Sequence, residues 1–348
     1  MMRIMNVMLS AGVGGLEAVA FQYARVLASA GCESAMVVNR RSPCEAPDDV
    51  MLFRAPGASL RNPFNPLAVA RAVRTFRPDV VIGHGSRGAD FCKSPLVRAA
   101  ASGRCRFVGA LHGENAKHFH GLDHVIAVSE TLRAGTIAKY GFAPERISAV
   151  PNAVAVPDMT EGTRREPQDG TPIIGFLGRF DPCKGLDVLL EACALLKGKG
   201  LRFRLVVGGA GPKEADLKAR SGRLGLTEDV RWLGWVSNKQ SFFSQVDAVV
   251  LPSREEGLPL ALLEAMSFVR AVVVSDCPSM KEVVEGAACG LVVPRGDAVA
   301  LAGALERLLG NGAERERFAS AGRAVAERQY SESGLTGRLL RILRDVGP

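Results

Sequence analysis

Residues 246–267 read VDAVVLPSREEGLPLALLEAMS, and this stretch decides the fold class. Its first part is a short apolar run rich in β-branched residues, which is typical of a buried parallel strand. Gly257 and Pro259 then mark a turn, and Pro259 suits the first helical position because an N–H there would be unpaired anyway. Glu256 therefore ends the loop, and Glu264 lies about one turn into the helix. In an open α/β sheet, ligands bind at the edge formed by the carboxyl ends of the strands, where this loop lies.

The two glutamates favour a ligand that carries both hydroxyl groups and phosphate. Free backbone amides at the start of a helix attract phosphate, and carboxylates are strong acceptors for sugar or ribose hydroxyls. Taken alone, the pair fits a solvated helix face better, since charged residues are mostly exposed. The other polar residues of the chain decide between the two interpretations.

A second strand–loop–helix unit lies upstream, at 173–196 (IIGFLGRFDPCKGLDVLLEACALL). The pattern predicts a strand over 173–177 and an amphipathic helix after it, and Gly178 lets the chain turn closely past a ligand. Arg179 and Lys184 lie between strand and helix, and a guanidinium fork with an ammonium point charge suits a diphosphate. Alone, these cations are equally well explained as surface residues. Together with the glutamates, they favour a binding site.

Several motifs carry a family resemblance. GRF-x3-KG from Gly178, VVGGAGP at 206–212 and EEGLPLALLEAM at 255–266 resemble, in order and spacing, the nucleotide-binding half of the group 1 (family 4) retaining glycosyltransferases. RIMNVML and the following SAGVGGLEAVAFQYARVLASAG are similar to the family's Gly-Gly-x-Glu loop and helix. IAVSE at 126–130 and VPNAV at 150–154 resemble further landmarks. The resemblance implies an α/β fold of two Rossmann-like domains facing a central cleft, the GT-B architecture.

The resemblance also implies roles for the residues that match. Arg179 and Lys184 match the pair that holds the donor's pyrophosphate, and Glu256 matches the acid beside the donor sugar; these three are the expected catalytic residues. Glu264 matches the acid that binds the nucleotide ribose. The remaining expected donor-binding residues are Gly14, Gly15, His112, Gly178, Gly257 and Leu258. For His112, a histidine satisfied within a loop network is the alternative.

The implied function is a retaining glycosyltransferase that moves a hexose from a nucleotide diphosphate sugar, with a UDP-sugar favoured, to a glycolipid, lipopolysaccharide or polysaccharide acceptor. We expect front-face attack assisted by the departing phosphate, because no matched residue resembles a covalent nucleophile. An NADP-dependent Rossmann oxidoreductase is one alternative, but Glu17 would occupy the third glycine position of its G-x-G-x-x-G loop. A non-catalytic sugar-nucleotide-binding subunit is the other.

Two segments depart from the family pattern. Val269 and Ala271 replace a usual glycine and proline, and Pro278 and Ser279 replace a Gly-Gly pair. Neither change removes a charged ligand contact. The departures leave the shape of the donor-side loops, and hence sugar selectivity, open.

The chain length of 348 residues predicts two domains, since this exceeds what one core usually organises. We expect a first domain on the acceptor side over 1–155, a polar linker with Pro and Gly over 156–172, and a donor-binding domain over 173–330. The segment 331–348 is a predicted helix. By analogy with the family alone, this helix packs back on the first domain.

Neither metal nor cofactor is expected. The eight cysteines form no C-x2-C pair, so the sequence indicates neither a zinc site nor a disulfide framework, and no D-x-D motif is present. The nucleotide sugar is a substrate. No run approaches the roughly 18–20 apolar residues that span a bilayer, and the amino terminus is too short and strand-like for a signal peptide, so a cytoplasmic protein is expected.

Positive charge is concentrated in the first domain. Residues 1–155 contain 18 Lys and Arg against 11 Asp and Glu, and all five histidines. Such a surface would draw the chain to an anionic acceptor or to the inner face of the cell membrane, because each cation near anionic lipid contributes about 1 kcal/mol. An ordinary solvated basic surface is the alternative. No nucleic-acid partner is expected, since stacking aromatics are scarce and no motif is present.

Overall fold

The computed structural model describes residues 1–12, 14–43, 47–101, 103, 105–158 and 170–347. The chain forms two compact units, Met1–Asn152 with Glu332–Pro348, and Ala153–Ser331. The first boundary lies close to the one placed at 155 from the sequence. Most of the linker expected over 156–172 lies outside the described residues.

The first unit is built on a sheet of seven parallel strands. They are β1 (Arg3–Met8), β2 (Glu33–Asn39), β3 (Val50–Ala55), β4 (Val80–His84), β5 (Arg106–Leu111), β6 (His124–Ala127) and β7 (Ile147–Ala149). Their order is β3-β2-β1-β4-β5-β6-β7. The central strands β1 and β4 are almost wholly buried, as expected for parallel strands covered on both faces.

Within the described residues, five α-helices lie in the connections between these strands. They are α1 (Gly15–Ser29), α2 (Phe64–Phe76), α3 (Gly85–Lys93), α4 (Pro95–Ala100) and α5 (Glu130–Tyr140). The IAVSE motif forms the end of β6 and the cap of α5, where the hydroxyl of Ser129 accepts a hydrogen bond of 3.0 Å from the Leu132 N–H. A serine at this position satisfies one of the unpaired donors at the helix start.

The second unit has a sheet of six parallel strands in the order β10-β9-β8-β11-β12-β13. The strands are β8 (Ile173–Leu177), β9 (Arg204–Gly208), β10 (Val230–Gly234), β11 (Ala248–Leu251), β12 (Ala271–Ser275) and β13 (Gly290–Val293). The helices are α6 (Leu186–Gly198), α7 (Glu214–Arg223), α8 (Lys239–Ser244), α9 (Leu260–Ser267), α10 (Pro278–Ala287), α11 (Ala298–Gly310) and α12 (Gly312–Gln329). β8 has the bounds predicted from the sequence.

Helix α9 differs from the prediction at its start and is unusual at its end. Pro259 is the N-cap, with an extended ψ of 136°, so it precedes the helix and is not its first residue. After the helix, Val269 has a left-handed φ of 57°, and the Arg270 N–H donates to the carbonyl of Ala265 at 2.9 Å. This is a Schellman end, where glycine is usual. The departure at Val269 therefore places a β-branched residue in a strained conformation.

The final helix, α13 (Glu332–Val346), belongs to the first unit and contacts α1. Leu335, Leu339 and Leu343 recur every fourth residue and are fully buried. The side-chain amide of Gln22 donates to Glu332 Oε1 at 2.9 Å. The chain thus ends in the unit in which it begins. Within the described residues, no helix combines the length and apolar character required to cross a bilayer.

Candidate functional site

The carboxyl ends of β8 and β11 lie next to each other, because the two strands pair in the middle of the second sheet. β9 and β10 continue on one side of β8, and β12 and β13 continue beyond β11, so the order of strands reverses between them. A reversal of this kind opens a crevice outside the strand ends. The loop after β8 carries Gly178, Arg179 and Lys184, and the loop after β11 carries Glu256 and Gly257.

Gly185 allows the two loops to touch. Its φ is 67°, and a Cβ added there would lie 2.0 Å from the carbonyl oxygen of Pro252. A larger residue would therefore force one of the loops to move. A backbone hydrogen bond also joins the two loops: the N–H of Arg254 donates to the carbonyl of Cys183 at 2.7 Å. Backbone contacts thus fix the distance between the loops.

The Arg254 side chain adds a second connection between these loops. Its Nη1 donates to the carbonyl of Pro182 at 2.8 Å. Nη1 and Nη2 also bind the two carboxylate oxygens of Asp187 at 2.8 and 2.7 Å. These hydrogen bonds from Arg254 hold the pKa of Asp187 below its usual value. A bidentate pair of this kind constrains orientation as well as distance.

Lys184 and Glu256, which were predicted from separate motifs, are in direct contact. The ammonium Nζ of Lys184 donates to Glu256 Oε1. The side chains are only 23% and 14% exposed, so the pair is partly shielded from water. An ion pair in such surroundings is stronger than one at the open surface. The structure therefore brings together, at the strand ends, a cation and an acid that were both predicted to be catalytic.

Arg179 occupies the same loop but is more exposed and has a different partner. Its side chain is 66% exposed, and its Nε lies 2.6 Å from Asp181 Oδ2. Burial acts to raise the pKa of Asp181, but hydrogen bonds from Cys183 and Arg179 bring the pKa below its ordinary value. Burial and the bond to Asp181 raise the pKa of the Cys183 thiol to about 12, so the thiol donates. Asp181 thus holds Arg179 beside the strand end.

The glycine-rich motif at the end of β9, residues 206–212, packs against the loop after β8. The N–H of Gly178 donates to Gly208 at 3.0 Å, and the N–H of Phe180 donates to Ala210 at 3.0 Å. Gly209 has a φ of 135°, and a Cβ there would lie 1.9 Å from the Gly178 carbonyl oxygen. The motif VVGGAGP therefore contributes close backbone packing. At Gly178 itself, an added Cβ would make only ordinary contacts.

Glu264 has a partner that the sequence analysis missed. Its side chain lies in the fifth position of α9, is 18% exposed, and has Oε2 at 3.3 Å from the ammonium of Lys239. Lys239 is the first residue of α8, where the side chain of Asn238 caps the helix. No sequence pattern links Lys239 with Glu264. Leu258, also predicted to bind donor, has a buried side chain.

Gly14 and Gly15, in the first unit, form the start of α1. Gly14 is the N-cap with an extended backbone, and an added Cβ would approach Glu17 Oε2 to 3.1 Å. At Gly15, nothing lies within 4 Å of an added Cβ. At Gly15 the start of α1 is thus free of side-chain bulk, which suits a close approach by a ligand, whereas the Glu17 carboxylate lies beside Gly14.

His112 follows β5 in the first unit and is half-buried. Its ring stacks on that of His84 with centroids 5.7 Å apart. The deeper His84 has its Nε2 2.9 Å from Asn6 Oδ1. Burial lowers the pKa of His112 to about 4, so its imidazole is neutral at pH 7. The stack fixes the plane of the ring, and the His112 Nε2 has no hydrogen-bond partner among the residues described.

Metal-ligating side chains do not gather in the described part of the chain: no three His, Cys, Asp or Glu residues lie there in an arrangement that could hold an ion.

Comparison with known proteins identifies relatives for both units. The family model "Glycosyl transferases group 1" matches residues 161–325, and "Glycosyltransferase Family 4" matches residues 13–156. The colanic acid biosynthesis glycosyltransferase WcaL of Salmonella typhimurium is 30% identical over 286 residues, which cover 73% of this chain and 67% of WcaL. Alpha-D-kanosaminyltransferase of Streptomyces kanamyceticus is 34% identical over 51% of this chain, and the match spans about half of that protein, 47%.

A solved structure has the same fold at low identity. Anabaena HepE, in complex with UDP-glucose, superposes with a TM-score of 0.78 over 99% of this chain and 100% of HepE, at 17% identity.

Proposed function

The chain belongs to the group 1 family of glycosyltransferases and has the two-domain α/β fold called GT-B, and on this premise we propose that it transfers a hexose from a nucleotide diphosphate sugar to a glycan or glycolipid. The observation that carries the proposal is the contact between Lys184 and Glu256 at the paired ends of β8 and β11. A cation and an acid at this point suit a ligand with phosphate on one side and hydroxyls on the other.

In the proposed reaction, the bond between the anomeric carbon and the donor's phosphate oxygen breaks, and the acceptor hydroxyl forms the new bond on the same face. The hydroxyl proton passes to the departing phosphate. Arg179 and Lys184 stabilise the charge that this phosphate gains, and a cation about 4 Å away contributes roughly 4 kcal/mol at an effective dielectric near 20. Glu256 accepts hydroxyls of the sugar, and Glu264 accepts hydroxyls of the ribose.

The finer features of the donor reaction are part of this proposal. We favour a UDP-sugar, because HepE of the same fold was solved with UDP-glucose. Retention of configuration follows from front-face attack. Arg179 and Lys184 would balance the charge of the diphosphate, which is the role that a metal ion otherwise has. We therefore propose catalysis without a metal or any other cofactor.

The acceptor is proposed to be a glycolipid, lipopolysaccharide or polysaccharide intermediate, since the relative WcaL is named for colanic acid biosynthesis. A glycolipid or lipopolysaccharide acceptor is held in a membrane by its acyl chains. The basic first unit would hold the chain at the cytoplasmic face, through contact with anionic lipid. The family assignment does not favour an NADP-dependent oxidoreductase.

A donor screen tests the proposal. A nucleotide sugar that binds the folded state raises the free energy of unfolding by mass action, by about 2.7 kcal/mol at a hundredfold excess over Kd, and so raises the melting temperature. We expect a UDP-sugar to stabilise the chain and NADPH to have no effect. The selected donor, labelled in its sugar, should then release nucleoside diphosphate with transfer or hydrolysis of the label. Binding without turnover would identify a non-catalytic subunit, and stabilisation by NADPH alone would contradict the proposal.

A further inference from the structure

Three polar residues of the first unit lie on one face of its sheet, across three neighbouring strands. Asn6 of β1 is in register with Ile82 of β4, two residues before His84. His84 is in register with Ala110 of β5, two residues before His112. Because side chains alternate along a strand, residues two positions apart share a face. Asn6, His84 and His112 therefore step across one face towards the carboxyl edge of the sheet.

The inner two of these residues are enclosed by the core. Asn6 and His84 are fully buried, and Asn6 stands in a strand that is otherwise apolar after Arg3. Tyr23 of α1, also fully buried, places the edge of its ring against His84, with the centroids 5.3 Å apart. The other aromatic neighbour of His84 is His112, whose ring plane lies at 24° to its own. The imidazole of His84 thus contacts both α1 and the residue that follows β5.

Hydrogen bonding does not account for all the polar atoms of this cluster. Nε2 of His84 lies 2.9 Å from Oδ1 of Asn6 and donates to it, because an amide oxygen only accepts. Burial, and the charge that His112 would carry if protonated, lower the pKa of His84 well below its ordinary value, so its ring is neutral at pH 7. Among the described residues, the Nδ1 of His84, the Nδ2 of Asn6 and the hydroxyl of Tyr23 have no hydrogen-bond partner. Buried polar atoms without partners are unfavourable, so stability alone would favour apolar side chains here.

We propose that His84 is a positioning residue, whose ring sets the plane of the His112 imidazole for a hydrogen bond to the donor sugar. The inference rests on the proposed function, in which His112 is one of the donor-binding residues. Asn6 and Tyr23 fix the ring of His84 from within the core. His84 itself is too deeply buried to touch a ligand, so it acts through His112.

The plane of the His112 ring matters because an imidazole forms hydrogen bonds only along the directions of its two ring nitrogens. His112 is half-buried, so part of its ring is accessible at the end of β5. A ring that is already oriented loses less freedom when the sugar binds. A small misplacement at such a contact slows the reaction considerably. His84 would therefore affect turnover without touching the donor.

Two paired substitutions test the inference. Asn6→Leu/His84→Leu, the leucine pair, removes the hydrogen bond and the flat ring together, and Asn6→Leu/His84→Phe, the phenylalanine pair, keeps a flat ring. Both remove the two partners of the hydrogen bond at once and leave neither unpaired, so we expect both to melt at or above the temperature of the unaltered chain. With the nucleotide sugar that the donor screen selects, kcat of the leucine pair should fall about tenfold, and kcat of the phenylalanine pair by no more than about threefold. The affinity for the nucleoside diphosphate, which lacks the sugar, should be unchanged in both.

A double-mutant cycle with His112→Asn shows whether His84 acts through His112. If it does, adding the leucine pair to His112→Asn should cause little further loss of kcat, because the ring that the pair would misplace is already gone. Independent losses that multiply would indicate a general structural effect and would overturn the inference. Equal losses in the leucine and phenylalanine pairs, or full turnover by the leucine pair, would overturn it as well.

The same sheet offers a matched control. His124, at the amino end of β6, is a buried histidine whose Nε2 lies 2.9 Å from the Ser148 Oγ. His124→Leu/Ser148→Ala removes this second histidine and its partner, away from the carboxyl edge, and should turn over donor like the unaltered chain. A loss as large as that of the leucine pair would show that any buried histidine of the sheet has this effect, and would contradict the inference. Circular dichroism checks that each variant is folded.

A measurement on the free chain separates this inference from the proposed function. Ring-labelled histidine gives NMR signals for the five histidines, and His112→Asn identifies the signal of His112. Because a stacked aromatic ring shifts the signal of its neighbour, the His112 signal should move in the leucine pair and stay close to its original position in the phenylalanine pair. An unchanged His112 signal in the leucine pair would overturn the inference. If the chain turns over no nucleotide sugar, the proposed function fails, while the NMR signal still decides whether His84 orients His112.

Discussion

Replacing Lys184 with alanine should affect turnover more than binding. In the structure, the ammonium already contacts the carboxylate of Glu256, so a diphosphate that binds there exchanges one anion for another. A hydrogen bond to a charged group contributes about 1.5–3 kcal/mol. Because the exchange gives up an existing ion pair, we expect the lower end of this range, which corresponds to about a tenfold loss of affinity for the nucleoside diphosphate.

The effect on turnover follows from the charge that develops as the donor bond breaks. A full unit of charge about 4 Å from the ammonium is stabilised by roughly 4 kcal/mol at an effective dielectric near 20. If half of that charge is present in the transition state, the ammonium stabilises the transition state by about 2 kcal/mol beyond its contribution to ground-state binding. We therefore expect kcat of the Lys184→Ala variant to fall by at least about 30-fold.

Titration calorimetry with UDP measures the first quantity, and initial rates with the labelled donor measure the second. Lys199→Ala is the matched control, because Lys199 is a lysine of the same unit whose partner, Glu306, lies on exposed surface. UMP, which lacks the second phosphate, should lose less affinity than UDP in the Lys184→Ala variant. Equal losses for UMP and UDP, or a variant that binds UDP and turns over like the unaltered chain, would refute the assignment of Lys184 to the diphosphate.

Four further predictions concern the scaffold of the site. Gly185→Ala should lower the free energy of unfolding by about 3 kcal/mol or more, measured by thermal denaturation, because the left-handed φ and the added Cβ 2.0 Å from a carbonyl oxygen both destabilise the fold. The control Gly198→Ala should cause no such loss, because nothing lies within 4 Å of a Cβ added there. Val269→Gly should raise the melting temperature, with a gain of about 1 kcal/mol from relief of the left-handed φ of 57°. Arg254→Lys should lower kcat about tenfold with the fold retained, because lysine cannot reproduce the bidentate bond; rates and circular dichroism check this. The pKa of His112 is about 4 when folded against 6.5 when exposed, so the unfolded chain binds the extra proton and stability falls from about pH 6.5 towards pH 4. The melting temperature of the His112→Asn variant should fall less than that of the unaltered chain over that pH range. An equal fall in both proteins would exclude this linkage.

The fold could be predicted because its main signals are local. β8 and β11 are buried on both faces, and each therefore appears as a continuous apolar run. The loops after them contain Gly178 and Gly257, which are turn signals in the sequence. The predicted GT-B fold is confirmed. The rule for open α/β sheets placed each charged motif at the carboxyl end of a strand, and the structure shows that the two strands are neighbours.

The pairing of charges could not be predicted, because it depends on contacts between distant residues. Arg254 and Asp187 are separated by 67 positions, and taken singly each has the pattern of a surface charge. The same holds for Lys239 and Glu264. The start of α9 was wrong by one residue, since proline suits both the N-cap and the first helical position, and only the ψ of Pro259 decides between them.

These pairings have a consequence for the kind of ligand that the site accepts. Three cations of the candidate site each have a carboxylate partner: Arg179 with Asp181, Lys184 with Glu256, and Lys239 with Glu264. An anion that takes Lys184 leaves the Glu256 carboxylate partly buried and unpaired, which is unfavourable. An inorganic diphosphate provides no donor for that carboxylate, whereas the hydroxyls of an attached sugar do. A neutral sugar supplies hydroxyls but cannot compete with Glu256 for the ammonium. The exchange is therefore balanced only by a molecule that carries both groups, which is the physical reason to expect a nucleotide sugar to bind more tightly than the sum of its parts.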